Sequence, residues 1–264
     1  MKAISIHSKA ELETYLLKHR PLNVYHIGDL DDFFWPYTHW YACKDGEDIT
    51  AVALLFTALD IPIFLAIDNH NTDEMLALIG DIAHLLPNRF YSLISPRLEE
   101  PLQDTYDLED AGEHYIMALT DITKVTQVSV DTFDIRALIH SDLDDIEALY
   151  SSSYPGHWFT ERMLATGKYF GLRDDEEQLV SIAGIHVYSA EYKLAALGNI
   201  TTHPDARGRG FGKAVTAALC QDLLKTVGDI SLTVQAANQQ AIHIYEKLGF
   251  EIVTNYNEFT FNRK

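Results

Sequence analysis

Between a strand-like run ending at Thr202 and an amphipathic segment starting at Lys213, the chain reads Arg-Gly-Arg-Gly-Phe-Gly at 207–212. Three glycines in six positions at such a junction restrict what can be built around it. They allow a sharp exit from a sheet and open the next helix with several N–H groups facing one small volume. The helix dipole adds positive potential at the same place, which suits an anion such as a pyrophosphate. Glycine-rich turns are common, so the neighbouring elements must specify the fold.

Those elements come in two similar sets. In the first half, Ser8 with Glu11 forms a capping box for a helix that carries Leu12, Tyr15 and Leu16. A short helix is expected around 23–31, then strands at 40–43, 49–57 and 61–67, with a hairpin turn at 44–46. Thr72 opens a helix with Met75, Leu78, Ile79 and Ile82 on one face. Strands at 90–94 and 114–119 bracket a polar, helical stretch at 98–106. The second half restarts with a strand at 132–137 and a helix capped by Ser141. A helix at 159–166 and strands at 169–172, 179–189 and 193–202 follow. After the glycine turn come a helix at 213–227, a strand at 230–235, a helix from Asn238 to Gly249, and strands at 250–254 and 258–261. Each half runs helix, antiparallel strands, helix, strand. The expected fold is α+β: two units, each a mixed, mostly antiparallel twisted sheet flanked by helices. The border falls at 126/127, giving domains 1–126 and 127–264.

A length of 264 residues is enough for two such domains. The net charge of −19 argues against nucleic-acid or anionic-membrane binding, which needs a basic face. It is compatible with a cationic small partner, and solubility explains it equally well. Cys43 and Cys220 are far apart and lack metal-type spacing, so a reduced, cytoplasmic setting is expected. The first twenty residues lack the pattern of a signal peptide. The most apolar stretch, 51–67, is interrupted by Asp60 and Pro62 and is too short to span a bilayer. No histidine spacing indicates a metal site, and no Gly-x-Ser-x-Gly elbow occurs.

Two motifs carry a family resemblance. The first is Arg207, Gly210 and Gly212 in the glycine turn. The second is Asn238, Ala241, Tyr245, Gly249 and Phe250, with the spacing Asn-x-x-Ala-x-x-x-Tyr-x-x-x-Gly-Phe. Over residues 130–264 the chain resembles the GNAT superfamily of acyl-CoA-dependent N-acetyltransferases. The first half is similar to a degenerate GNAT-like unit, as in the tandem glycine N-acyltransferase-like members.

The resemblance implies an acyl-CoA cleft in the C-terminal unit, between the strand ending near Thr202 and the strand at 230–235. Backbone N–H groups of Arg207, Gly208, Arg209, Gly210, Phe211 and Gly212 would hold the pyrophosphate, with added charge from Lys213. Backbone groups of Ile200 and Thr202 match positions that bond the acyl carbonyl and the pantetheine arm. Asn238 contacts that arm, caps the helix, or does both. Tyr245 occupies the general-acid position, or serves as a core aromatic on its helix. The acceptor is a primary amine, which must lose a proton before it can attack. The glutamate common before the phosphate loop is missing, since this chain reads Ala-Ala-Leu-Gly at 195–198. His186 is a candidate base, beside Glu191, His157 and a water relayed from a more distant carboxylate. The missing carboxylate leaves open a non-catalytic acyl-CoA-binding protein. Acetyl-CoA is the expected co-substrate, without a metal.

Overall fold

The computed structural model describes residues 2–264. The chain folds as two compact α+β units. One is formed by residues up to Ile116 with Val234–Asn238 and Ile252–Lys264, the other by Met117–Thr233 with Gln239–Glu251. Among the described residues, no helix is long and apolar enough to cross a membrane.

The first unit contains strands β1 (Ile4–Ile6), β2 (Thr38–Asp45), β3 (Asp48–Phe56), β4 (Ile63–Ala66) and β5 (Arg89–Ile94). Most of β6 (Tyr106–Leu119) and of β12 (Phe250–Arg263) joins them in the order β1-β2-β3-β4-β5-β12-β6. Helix α1 (Lys9–Leu16) starts at Ser8, whose Oγ accepts the Glu11 N–H at 3.3 Å. Helix α2 (Val24–Gly28) is short, and α3 (Thr72–Ile82) joins β4 to the parallel strand β5. The apolar stripe of α3, Met75, Leu78, Ile79 and Ile82, packs in one core with Phe64, Phe90 and Phe261. Each such side chain contributes roughly 1.5–3 kcal/mol on burial.

The second unit contains β7 (Asp134–Ala137), β8 (Phe170–Arg173), β9 (Leu179–Ser189), β10 (Leu194–Thr202) and β11 (Asp229–Gln235), in the order β11-β10-β9-β8-β7. All pairs are antiparallel except β10 with β11. Helix α4 (Ile122–Thr126) and α7 (Gln239–Leu248) contact each other, α5 (Leu143–Ser153) packs on β9 and β10, and α6 (Phe211–Leu223) packs on β8 to β10.

Several local expectations shift. The 98–106 stretch holds only a 3-10 turn at Glu100–Leu102, because Pro101 lacks the N–H a longer helix needs. Residues 161–166 are likewise 3-10, closed by Gly167 in the left-handed region at φ +65°. The caps expected at Thr72 and Ser141 fall on Asn71 and Asp142. The two final strands are one, β12, running unbroken through Asn255 and Asn257.

Candidate active site

Parallel pairing of β10 with β11 runs from Leu194 opposite Asp229 to Leu197 opposite Leu232 and stops there. β10 continues for five residues to Thr202 and β11 for three to Gln235. The strands thus part at their C-terminal ends, where a parallel βαβ unit offers its crevice. On its other side β10 pairs with β9, with register breaks between Ala196 and Leu197 and between Gly198 and Thr201.

The second break is centred on Asn199, which is left-handed at φ +54° and buried. Asparagine is among the few side chains that adopt this conformation readily. Its carbonyl accepts the Tyr150 hydroxyl at 2.8 Å, and its Oδ1 accepts the Trp158 N–H at 2.9 Å. Its Nδ2 donates to the Tyr169 hydroxyl at 2.9 Å, which in turn donates to the Ile185 carbonyl at 2.9 Å. Sequence reasoning passed over Asn199. The signal was a Gly-Asn pair inside a strand run, a marker of a bulge.

Beyond Thr202 the chain makes a 3-10 turn at Pro204–Ala206, then the glycine turn. The Arg207 Nε donates to the Thr202 carbonyl at 3.2 Å. Gly208 and Gly210 are left-handed at φ +78° and +85°, the alternation that turns successive N–H groups into a concave anion site. α6 begins at Phe211 with no side chain capping it. Its first intrahelical bond is Ala214 N–H to the Gly210 carbonyl, 3.0 Å. Among the described residues, the N–H groups of Gly208 to Lys213 meet no acceptor. Gly212 packs on the end of β10, where a Cβ would lie 3.1 Å from the Thr202 Oγ1. Arg207 and Arg209 are exposed and Lys213 half-buried. The Arg209 guanidinium covers the buried Phe211 ring at 4.5 Å, so Phe211 offers the cradle its backbone alone. A groove of about 430 Å³ runs beside the turn, lined by Leu149, Val180, His203 and Arg209, with Asp145 and Asp174 also on its wall.

The matching loop of the first unit, 67–71 between β4 and α3, is closed. The Asp68 Oδ1 accepts the N–H groups of His70 at 2.5 Å and Asn71 at 3.0 Å, placing a carboxylate where an anion would sit. Its strands do not part: Ser95 N–H bonds the Ala66 carbonyl at 3.0 Å, and Asp68 N–H bonds the Ser95 Oγ at 3.0 Å.

Tyr245 lies on the inner face of α7 with Ile242 and Leu248, its ring edge-on to Phe250 at 6.0 Å. Burial pushes its phenol pKa well up, and the neighbouring Tyr154 and Cys220 push it the same way. The hydroxyl therefore stays protonated and has no hydrogen-bond partner among the described residues. His186 is the extra residue of the first β9 break, since Val187 faces Ala196 and Ile185 faces Leu197. Its ring lies over Gly198, where a Cβ would come within 2.2 Å. Part of the residue reaches the surface, while Nε2 is sealed off without a partner. Burial lowers its pKa, opposed by an interaction with Asn199, so the ring is held neutral.

The other base candidates are placed less well. His157 stacks on Tyr150 at 4.4 Å and uses Nδ1 to accept the Phe159 N–H at 3.1 Å, which leaves the proton on Nε2. Glu191 is exposed in the β9–β10 connection, at the far end of β10 from Thr202. At ~3.3 Å per residue that is roughly 25 Å from the crevice. Asn238 is exposed just before α7, its N–H bonded to the Gln235 carbonyl at 2.9 Å. Cys220 is buried within α6, and burial alone raises its thiol pKa, so it is poorly suited to accept an acyl group. Among the described residues, no three His, Cys, Asp or Glu side chains are grouped to hold a metal ion.

Residues 170–259 match the family model for FR47-like proteins, which includes the β10 crevice, the glycine turn and Tyr245. A mycothiol acetyltransferase of Rhodococcus jostii is 32% identical over 81 residues, 29% of this chain and 27% of that protein. The [ribosomal protein bS18]-alanine N-acetyltransferase of Escherichia coli is 39% identical over 74 residues, 26% of this chain and 50% of that one. The chain thus spans half or less of the length of these relatives. The solved structure of a tandem GNAT protein from the clavulanic acid biosynthesis pathway matches 98% of this chain and 97% of its own, with a TM-score of 0.60 and 12% identity. The fold is that of the GNAT acetyltransferases, here as two units.

Proposed function

We propose that this protein transfers an acetyl group from acetyl-CoA to a primary amine by direct attack, using the crevice of the unit formed largely by 127–264. The observation carrying this is the row of unbonded N–H groups from Gly208 to Lys213 at the parted ends of β10 and β11. A pyrophosphate fits there because the donors converge, the helix end is uncapped, and Arg207, Arg209 and Lys213 add charge.

When bound, the thioester supplies an electrophilic carbonyl carbon. Backbone groups of Ile200 and Thr202 face the acyl and pantetheine portions, and Asn238 steadies the pantetheine arm. A base takes one proton from the acceptor ammonium; the freed nitrogen attacks the carbonyl and the C–S bond breaks. Tyr245, kept protonated by burial, gives its proton to the departing sulfur and regains one from the nitrogen, which sheds its second proton to become the neutral amide. His186 is the base this reading favours, because its ring is neutral and its Nε2 has no partner. With Cys220 buried, no covalent acyl-enzyme is formed.

A small-molecule amine, cationic at neutral pH, suits the net charge of −19. A second reading, acyl-CoA binding without turnover, is favoured by the sealed Nε2 of His186. One experiment separates them: CoA release from acetyl-CoA across a panel of amines, with Tyr245→Phe alongside. Turnover that falls about 10²-fold or more in the variant supports the enzyme. Tight binding of acetyl-CoA with no release on any amine supports the binding protein.

A further inference from the structure

Asn199 has a second set of connections that the transfer step does not use. Its side chain accepts the Trp158 N–H on Oδ1 and donates from Nδ2 to the Tyr169 hydroxyl and, at 3.8 Å, to the Met163 Sδ of the same surface segment, besides its interaction with His186. Residues 157–167 link α5 to β8, and their main-chain bonds at His157, Met163 and Gly167 reach only three residues back. The bond to Trp158 is thus a long-range tie, spanning 41 positions from a buried strand to a surface segment. What the tie presents is unusual for a surface: Trp158 is 42% exposed and Tyr154 37% exposed. Tyr154 lies near enough to Tyr245 to disfavour its ionisation, which places this aromatic wall beside the candidate acid. His157 stacks on Tyr150, and the Tyr150 hydroxyl returns to the Asn199 carbonyl, closing the circuit.

We propose that Asn199 is a positioning residue that ties segment 157–167 to the β10 bulge, and so sets the wall against which the acceptor amine is held. The word "acceptor" rests on the acyl-transfer reading; the tie itself does not. One residue therefore fixes two things at once. Its left-handed backbone shapes the strand end facing the thioester, and its amide holds the acceptor side in register with it.

The test exploits the backbone. Asn199→Gly accepts φ +54° without strain, so the bulge survives while the side-chain bonds vanish. Asn199→Asp keeps an acceptor for Trp158 and tolerates the same conformation. Amide hydrogen exchange in 157–167 should quicken about tenfold in the glycine variant, as expected for one lost buried hydrogen bond, with α6 and β11 unchanged. The KM for the amine should rise by a similar factor while that for acetyl-CoA stays within about twofold, and Asn199→Asp should recover most of the loss. Unchanged exchange in 157–167 would overturn the tie. Faster exchange with an unchanged amine KM would overturn its role in acceptor placement. If the wild type turns over no amine, the acyl-transfer reading fails, and the acceptor clause with it; exchange still decides the tie.

Discussion

Replacing Gly210 by alanine isolates the conformation of the turn from its packing. A Cβ at Gly210 would meet nothing within 4 Å, so crowding contributes no cost. The cost is the φ of +85°, which an L-side chain resists by roughly 1–2 kcal/mol. In the free protein the exposed turn can relax to a negative φ and avoid that cost. To bind a pyrophosphate it must return, so the same energy appears as lost affinity, a factor of about 5–30. Titration calorimetry with CoA reads the affinity and a thermal melt reads the stability. Gly228→Ala is the control, since it has open space and no positive φ. The expected pattern is a Kd raised in Gly210→Ala, an unchanged Tm, and no effect of the control. A lowered Tm with an unchanged Kd would refute the argument, because the strain would then be held in the fold and the N–H groups would play no part in binding.

Three further outcomes follow from other sites. His26 is buried with both ring nitrogens unpartnered, and burial lowers its pKa to about 4. The unfolded chain then binds a proton from pH 6.5 downward that the folded chain refuses. Stability should fall on acidification between those two values, by about 2 kcal/mol from pH 8 to pH 5. Urea titrations of wild type and His26→Leu should diverge by that amount; parallel pH curves would exclude it. For His186, the lowered pKa keeps the base neutral below pH 6.5, so the acid limb of kcat/KM should lie below that pH and vanish in His186→Gln. A limb above 6.5 points to another base. Asp68→Ala removes the acceptor of two N–H groups in loop 67–71 and should cost about 2–3 kcal/mol, read by denaturant unfolding. A cost under half a kcal/mol would mean that water replaces the carboxylate freely.

The glycine turn and the α7 motif were legible because both are local. Gly208 and Gly210 announce positive φ, and the spacing from Asn238 to Phe250 follows the period of one helix. Pairing between strands is not local. The parting of β10 from β11 and the two β9 breaks depend on which residues face each other, so neither the hydrogen-bond partners of the buried Asn199 nor the bulge at His186 could be read. Asn255 and Asn257 interrupt an apolar run and mimic a turn. In the fold they sit in a paired strand, where Asn255 Nδ2 donates to the Glu113 Oε1 at 2.7 Å and Asn257 stands opposite Ile94. Pro101 is a local signal that limits a helix over 98–106 to the single 3-10 turn observed.

The carboxylate of Asp68 in the first unit's loop has a consequence for how the protein answers its surroundings. A group tethered two residues from the N–H it bonds acts at a very high effective concentration and cannot diffuse away. That loop is in effect permanently loaded, whatever anions the solution holds. The loop at 207–212 has no such resident, and on the proposed reading acyl-CoA bound there would add about 2.7 kcal/mol to the stability of its unit at a hundred times Kd. On that reading one chain carries a constant scaffold and a unit whose resistance to unfolding would track the acyl-CoA pool. When that pool is exhausted, proteolysis should begin in the second unit while the first persists.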